Sequence, residues 1–208
     1  MIAVAPSPAE FSAAPVARPA FHIEVEAAGD ALARDALLDR AMGPGRRRKA
    51  SEAIRRGRLP AEGLALVARS DDGDIIGTVR LWHVALGDAG TAALLLGPLA
   101  VSPERAGCGI GSGLLRHAIA QARALGHAAI LLVGDPDYYN RFGFSAASAA
   151  GLAMPGPFER HRMLGLELAP MALAGTAGLI RPKGLKVSAA TTRSGILAQA
   201  KASLVQAK

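Results

Sequence analysis

One stretch sets the architecture of this chain: Leu94-Leu-Leu-Gly-Pro-Leu-Ala-Val101, then Ser102-Pro-Glu-Arg-Ala-Gly-Cys-Gly-Ile-Gly-Ser-Gly113, then Leu114-Leu-Arg-His-Ala-Ile-Ala-Gln-Ala-Arg-Ala-Leu125. The first part is a short apolar run closed by Ser-Pro, which is typical of a buried strand. The last part repeats apolar residues at helical spacing, with polar residues on the other face. The stretch therefore predicts a strand, a glycine-rich loop and a helix in direct succession.

This succession is a favourable site for an anion. The first turn of a helix has unpaired N–H groups and the positive end of the helix dipole. Glycines lack a Cβ atom, so the backbone can approach a phosphate closely. The dinucleotide fingerprint G-x-G-x-x-G is absent, because the glycines alternate and none falls at the third position. A P-loop is also excluded, because no lysine lies between Lys49 and Lys183.

A second motif follows the apolar run at residues 128–133, and it reads Asp135-Pro-Asp-Tyr-Tyr-Asn-Arg-Phe-Gly-Phe144. With the stretch Leu99-Ala-Val-Ser-Pro and the loop Gly107-Cys-Gly-Ile-Gly-Ser-Gly-Leu-Leu, it resembles the GNAT superfamily of acyl-CoA N-acyltransferases. The loop is similar to the coenzyme A loop of that family, and the second motif is similar to its tyrosine and Gly-Phe segment after the fifth strand. The resemblance covers residues 21–168. The alternative is a glycine-rich turn on an unrelated α/β protein.

The resemblance implies how the cofactor is held. The diphosphate would lie on backbone N–H groups of the loop, and the pantetheine arm would pair with the strand before it. The family loop often begins with Gln or Arg where this chain has Ala106, with Arg105 one residue early, so we expect a backbone cradle. The N–H of Leu99 or Val101 is the candidate oxyanion donor. The candidate cofactor-binding residues are Leu99, Ala100, Val101, Ala106, Gly107, Cys108, Gly109, Ile110, Gly111, Ser112 and Tyr139.

The resemblance also suggests a general acid. Tyr139 matches the family tyrosine four residues before Gly143, and a phenol with a pKa of about 10 can protonate a leaving thiolate. The alternative is that Tyr139 packs in the core while Tyr138 is exposed, or the reverse. The general base is not evident, because residues 92–101 contain no acid. The candidates are His83, Asp88 and Asp135, the last of which we expect to cap a helix; a water relay would need no protein base.

The remaining pattern predicts an α+β fold with a GNAT-like mixed sheet. An antiparallel meander is followed by a parallel βαβ unit, and the resemblance implies that the central strands splay apart. Asp30 is the expected N-cap of a helix whose apolar face includes Leu32. The expected strands span residues 21–26, 64–69, 75–83, 92–101, 128–133 and 163–168, with a short helix over 136–142 and no regular element assigned to residues 169–195.

The segment from Arg46 to Arg58 contains seven basic residues and one acid. The usual explanation is a solvated helix face, with Glu52 pairing with Arg48 or Arg56. The alternative is a functional patch on the acceptor side or the phosphate side of the site. The sequence favours the solvated face.

Charge, composition and the extent of the family resemblance together divide the chain into three parts. Residues 1–20, rich in Ala and Pro, are predicted to be a disordered extension, residues 21–168 the acyltransferase domain, and residues 169–208 a basic tail with a short helix possible over 195–207. The net charge is +7, and six basic residues with no acid follow Leu168, so residues 1–168 carry only +1. The charge therefore gives the domain no support for nucleic-acid binding.

The single cysteine, Cys108, excludes an intrachain disulfide and a cysteine-only metal site, and we expect a filler side chain rather than a nucleophile. No metal is expected. No apolar run reaches the roughly 18 residues of a membrane span, and the N-terminus lacks a signal peptide pattern, so a cytoplasmic protein is predicted.

The resemblance implies an N-acyltransferase that moves an acetyl group, or another short acyl group, from acyl-CoA to an amine by direct attack in a ternary complex. The acceptor is a small-molecule or protein amine, and the protein is expected to be a monomer or homodimer. Two alternatives stay open: a non-catalytic acyl-CoA-binding regulator, and an adaptor that binds nucleic acid or membrane through the tail.

Overall fold

The computed structural model describes residues 20–187, and the predicted N-terminal extension before Ala20 and the short helix over 195–207 lie outside them. Within this part the chain forms an eight-stranded mixed sheet in which β1 to β5 are followed by β7, and β8 pairs with β3 and β6. The strands are β1 Phe21–Val25, β2 Ala65–Ser70, β3 Ile75–Leu86, β4 Thr91–Val101, β5 Ala129–Val133, β6 Leu152–Ala153, β7 Met163–Glu167 and β8 Gly178–Pro182. The helices are α1 Ala31–Met42, α2 Ala50–Arg55, α3 Ile110–Ala124 and α4 Pro136–Tyr139.

The antiparallel meander and the parallel unit form as predicted. β1 to β4 pair antiparallel in chain order, and β4 pairs parallel with β5 after the crossover through α3. The turn between β2 and β3 needs Gly73, whose φ of 87° lies in the left-handed region that glycine adopts without strain. The predicted α+β class with a mixed sheet is therefore confirmed.

The two central strands separate near their carboxyl ends. β4 and β5 pair only at Leu94 with Ile130 and at Leu95 with Leu131. The register of β3 and β4 then shifts, and the indole Nε1 of Trp82 donates a 2.6 Å hydrogen bond to the Gly97 carbonyl at this point. Beyond it β4 continues beside β3 while β5 continues beside β7, so an opening forms between them.

Apolar side chains on the two faces of the sheet form two clusters. Leu94 points to the α3 face, with the fully buried Leu114 of the helix, whereas Leu95 points to the other face with Ile54 of α2. This alternation follows from the two-residue period of a strand. The core therefore packs α3 against one face of the sheet and α2 against the other, and α2 borders the opening.

Replacing Leu114 by alanine tests this core. We expect the free energy of unfolding to fall by about 3 kcal/mol, because a side chain with 0% exposure is lost and a cavity remains. The matched control is Leu32→Ala, since Leu32 is 72% exposed, and its effect should stay below about 0.5 kcal/mol. Urea denaturation measures both variants, and equal losses would contradict the assigned packing.

Several local predictions are wrong. The exposed Leu32 does not belong to the buried face of α1, whose buried residues include Leu37 and Leu38. Asp30 precedes α1, but its carboxylate does not cap that helix; it accepts hydrogen bonds from the Ala27 N–H at 2.8 Å and from Arg69 at 2.6 Å. The preceding 3-10 turn directs the side chain backwards, away from the first turn of α1.

Two further corrections concern element boundaries. The helix α3 begins at Ile110, not at Leu114, so two of the loop glycines belong to its first turn. The strand β8 was not predicted, and it adds residues assigned to the basic tail to the sheet, with Ile180 fully buried. Its short run Gly-Leu-Ile-Arg-Pro has no usable period, because only one side chain faces the core.

No helix between residues 20 and 187 combines the length and apolar character that crossing a bilayer requires.

Candidate active site

The loop between β4 and α3 forms a concave surface beside the first turn of the helix. A cavity of about 310 Å³ lies there. Gly107 and Gly109 have φ values of 78° and 82°, so only glycine adopts these positions without strain. The residues lining the cavity are Val101, Arg105, Ala106, Gly107, Gly109, Ile110, Gly111, Ser112, Tyr138 and Arg141.

Backbone donors at the start of α3 are available to a ligand. The first hydrogen bond of the helix runs from the Gly113 N–H to the Gly109 carbonyl at 2.9 Å, so the N–H groups of residues 110–112 lie before the helical ladder. The N–H of Cys108 is different, because it donates to the Arg105 carbonyl at 3.3 Å. The cradle therefore presents the amides of Ile110, Gly111 and Ser112. The Cys108 amide, which the resemblance also implied, already has a partner within the chain.

Two guanidinium groups border the same cavity. Arg105 lines it although it lies one residue before the family position. Arg141 lies over the ring of Tyr138 at 4.8 Å, and its Nε donates to the Tyr138 carbonyl at 3.2 Å. A diphosphate in the cavity would have cationic side chains beside it as well as amides, which strengthens the hydrogen bonds to an anion.

The backbone of β4 faces the opening at two predicted residues. The Ser102 N–H donates to the Ile76 carbonyl at 2.8 Å, so this pair is hydrogen-bonded across β3 and β4. Hydrogen-bonded and non-bonded pairs alternate in an antiparallel ladder, and Leu99 and Val101 lie at odd offsets from Ser102. Their N–H and C=O groups consequently face away from β3, toward the opening, whereas those of the intervening Ala100 face β3.

Tyr139 lies on the wall of this opening. It borders a cavity of about 90 Å³ together with Leu99, Leu132 and Val133. The Tyr139 ring packs edge-on against Phe144 at 5.9 Å and against Tyr138 at 4.9 Å. The structure thus brings Tyr139 together with Leu99, one of the two candidate oxyanion donors, while Val101 and Tyr138 line the diphosphate cradle.

Burial determines the protonation state of Tyr139. Loss of solvent raises the pKa of its phenol to about 12, and the neighbouring Tyr138 adds to the rise. The phenol therefore stays protonated at every physiological pH and can act as a proton donor. Gly134 makes room for it, because a Cβ atom at that position would overlap the Tyr139 ring.

The candidate bases lie elsewhere. Asp135 caps α4, since its Oδ1 accepts from the Asp137 N–H at 3.1 Å. Asp88 is exposed and pairs with Arg181 at 2.5 Å, and the ring of His83 lies 5.4 Å from that of His127. None of the three candidates is among the residues that line the opening within the described part of the chain.

The entrance to the opening is formed by residues that sequence reasoning did not assign to the site. A cavity of about 210 Å³ adjoins the opening and shares Lys49, Ser51 and Val133 with it. Glu159 and Arg162 lie on its far side and are 3.4 Å apart. Glu159 is the single carboxylate among the described residues that line these two cavities.

The basic segment after α1 is only partly a solvated face. Glu52 pairs with Arg55 at 2.9 Å, not with Arg48 or Arg56 as predicted. Arg55 is 9% exposed and lines the opening beside Pro98. The interpretation as a purely solvated helix face is therefore wrong for Arg55, whose burial could not be inferred from a run of arginines.

Comparison with known proteins identifies the family of the chain. A family model described as "Acetyltransferase (GNAT) domain" matches residues 61–146. The "Uncharacterized N-acetyltransferase YhbS" of Escherichia coli strain K12 is 32% identical over 163 residues, which cover 76% of this chain and 93% of YhbS. The crystal structure of Escherichia coli YhbS in complex with CoA has a TM-score of 0.67 at 30% identity, covering 82% of this chain and 92% of that chain.

A second solved structure is similar to this chain. A GNAT family acetyltransferase from Brucella melitensis, crystallised with acetyl-CoA, has a TM-score of 0.53 at 30% identity, covering 71% of this chain and 96% of that chain. The mixed sheet with its split central strands and amide cradle thus defines an acyltransferase fold. The chain belongs to the GNAT family of N-acetyltransferases, which confirms the resemblance stated from the two motifs.

Proposed function

We propose that the protein transfers an acetyl group, or another short acyl group, from acyl-CoA to an amine by direct attack in a ternary complex. Family membership confirms the predictions of acyltransferase activity and of acyl-CoA as cosubstrate. The relatives from Escherichia coli and Brucella melitensis were crystallised with CoA and acetyl-CoA, which supports acyl-CoA as the cosubstrate. The observation that carries the proposal is the opening between β4 and β5, with the cradle at one end and Tyr139 on its wall.

In this mechanism the backbone holds the cosubstrate in place. The amides of Ile110, Gly111 and Ser112 bind the diphosphate, with Arg105 and Arg141 beside it. The outward-facing groups of Leu99 and Val101 pair with the pantetheine arm, which enters the opening as an additional strand would. This arrangement fixes the thioester beside Tyr139 and excludes water from one side of it.

The chemical step needs an amine, an oxyanion donor and an acid. The amine nitrogen, held about 3 Å from the thioester carbon, attacks it while the N–H of Leu99 or Val101 stabilises the charge on oxygen. The C–N bond forms, the C–S bond breaks, and the Tyr139 phenol protonates the departing thiolate. The proton released by the amine leaves through water at the entrance beside Glu159. Tyr139 then recovers its proton from solvent.

A thiol-release assay tests the proposal. The full chain with acetyl-CoA should release free CoA only when an amine is added, and a short acyl donor such as propionyl-CoA should also react. The product amide, identified by mass spectrometry, should form without an acylated protein as intermediate. Tight CoA binding with no amide formed from a broad panel of small amines and peptides would instead support the non-catalytic regulator.

A further inference from the structure

The guanidinium group of Arg55 has donors that the described residues do not use. Arg55 ends α2, is 9% exposed, and directs its Nε to Glu52 at 2.9 Å. Its Nη1 lies beside the point where the register of β3 and β4 shifts, 3.4 Å from the position that a Cβ atom of Gly97 would occupy. Between residues 20 and 187, no side-chain or backbone oxygen accepts a hydrogen bond from Nη1 or Nη2. Both nitrogens keep contact with solvent, so they are open to a ligand that enters the cavities lined by Arg55.

Arg55 lines a cavity of about 170 Å³ between α1, α2 and β3 that is rich in arginine. The cavity is lined by five guanidinium groups, those of Arg34, Arg46, Arg55, Arg56 and Arg80. Four carboxylates contact them: Glu26 bridges Arg34 and Arg80, Asp35 contacts Arg34 and Arg46, Asp39 contacts Arg46, and Glu52 contacts Arg55. The guanidinium groups thus outnumber the carboxylates around them by one.

Two of these arginines have donors that do not bind a carboxylate. Arg56 donates to the backbone carbonyl of Arg47 at 3.2 Å and has no carboxylate partner within residues 20–187. The Nη2 of Arg46 is buried and makes no hydrogen bond to the described part of the chain, and it lies 3.7 Å from Asp35 Oδ1. An anion that entered the cavity would accept hydrogen bonds from the free donors of Arg55 and Arg56 and would offset the excess positive charge around them.

This cavity adjoins the reaction site. Arg55 and Pro98 line both the arginine cavity and the opening that contains Leu99 and Tyr139. A small molecule can therefore have one end at the Arg55 guanidinium and the other at the thioester. The diphosphate cradle with Gly107 and Gly111 is lined by none of these five arginines, so the arginine cavity is a separate anion site.

We propose that the amine acceptor carries an oxyanion, a carboxylate or a phosphate, that binds to Arg55 in the arginine cavity while its amine reaches the opening between β4 and β5. The inference rests on the proposed function and names the class of acceptor. A guanidinium group suits this role because its planar N–H pairs match the two oxygens of a carboxylate or phosphate. The anion fixes the distance of the amine from the thioester carbon and so selects the substrate.

Pairs of amines that differ only in the anion test the proposal. With acetyl-CoA and the full chain, γ-aminobutyrate is compared with butylamine, β-alanine with propylamine, and phosphoethanolamine with ethanolamine, at equal concentrations of unprotonated amine. At least one charged member should have a kcat/KM about 100-fold above its neutral partner, as expected for a charge-assisted contact that the neutral amine lacks. Neutral members used as well as charged ones in all three pairs would overturn the proposal.

The variant Arg55→Gln should remove this preference. We expect its kcat/KM for the charged acceptor to fall about 100-fold, its activity with the neutral partner to change by less than about threefold, and its CoA affinity to stay constant. Arg55→Lys should recover part of the preference, and Arg123→Gln, on the exposed side of α3, serves as the matched control. Circular dichroism melts establish that each variant is folded, and a folded Arg55→Gln protein that keeps the preference would overturn the proposal.

Two further measurements separate the remaining outcomes. If Arg55→Gln changes only the use of succinyl-CoA relative to acetyl-CoA, the anion belongs to the acyl group and the proposed acceptor is wrong. If no amine of the panel reacts although CoA binds, inorganic phosphate is titrated into the CoA complex: phosphate should raise the Tm of the wild type more than that of Arg55→Gln, and equal shifts overturn the proposal. Failure of the wild-type protein to bind CoA would refute the proposed function instead.

Discussion

Tyr139→Phe is expected to lower kcat by about 100-fold while leaving the dissociation constant for CoA within about twofold of the wild type. The phenol supplies the proton that the leaving thiolate needs, and a positioned acid of this kind contributes on the order of 10² to 10⁴ in rate. The ring itself packs against Phe144 and Tyr138, and phenylalanine preserves both contacts. Pre-steady-state thiol release measures the chemical step, and isothermal titration measures CoA binding.

The pH dependence sharpens this prediction. An acid works only below its pKa, and burial raises the pKa of Tyr139 to about 12, so its ionisation should cause no loss of kcat up to about pH 10. Above the pKa of the free thiol the released thiolate is stable without a proton, so the deficit of Tyr139→Phe should shrink toward high pH. A variant with unchanged kcat at neutral pH would remove Tyr139 from the mechanism.

Gly111→Val should weaken CoA binding by about 100-fold or more. A Cβ atom at Gly111 would lie 3.0 Å from the Tyr138 hydroxyl and 3.5 Å from a methyl group of Val101, so the side chain fills the cradle that both residues line. Hydrogen bonds to charged groups contribute about 1.5–3 kcal/mol each, and the loss of two corresponds to at least about a 100-fold change in affinity.

The matched control is Gly29→Val, because a Cβ atom at Gly29 would have no neighbouring atom within 4 Å and the residue lies far from the loop in sequence. Its CoA affinity should equal that of the wild type. Isothermal titration with CoA measures both variants. Wild-type affinity in a folded Gly111→Val protein would place the diphosphate away from this loop.

The central part of the fold was predictable because local sequence preferences and tertiary packing favour the same structure there. A glycine-rich loop between an apolar run and an amphipathic helix permits few structures, and the Asp72-Gly73 turn joins β2 and β3 as its dipeptide indicates. The start of α3 was misplaced because Gly111 and Gly113 have low helix propensity. In the folded protein Gly113 is required for close packing instead, since a Cβ atom there would lie 3.2 Å from the Phe21 ring.

The site was predictable where it depends on backbone, and less so where it depends on tertiary packing. The orientation of Leu99 and Val101 follows from the strand ladder, and the family motif indicated both residues. Arg55 reaches the opening through the approach of α2, and Glu159 reaches its entrance through the approach of the segment before β7, and no local pattern encodes either approach. A run of arginines predicts solvent exposure on average. Arg55 is buried because α2 packs against Gly97, which only the tertiary structure shows.

A crystal structure of the full chain with acetyl-CoA would show directly whether the opening between β4 and β5 holds the thioester. We expect the diphosphate on the amides of residues 110–112, the pantetheine arm beside Leu99 and Val101, and the thioester sulfur within reach of the Tyr139 hydroxyl. A cofactor bound outside the opening, or β4 and β5 hydrogen-bonded along their whole length with the cofactor present, would contradict this mechanism.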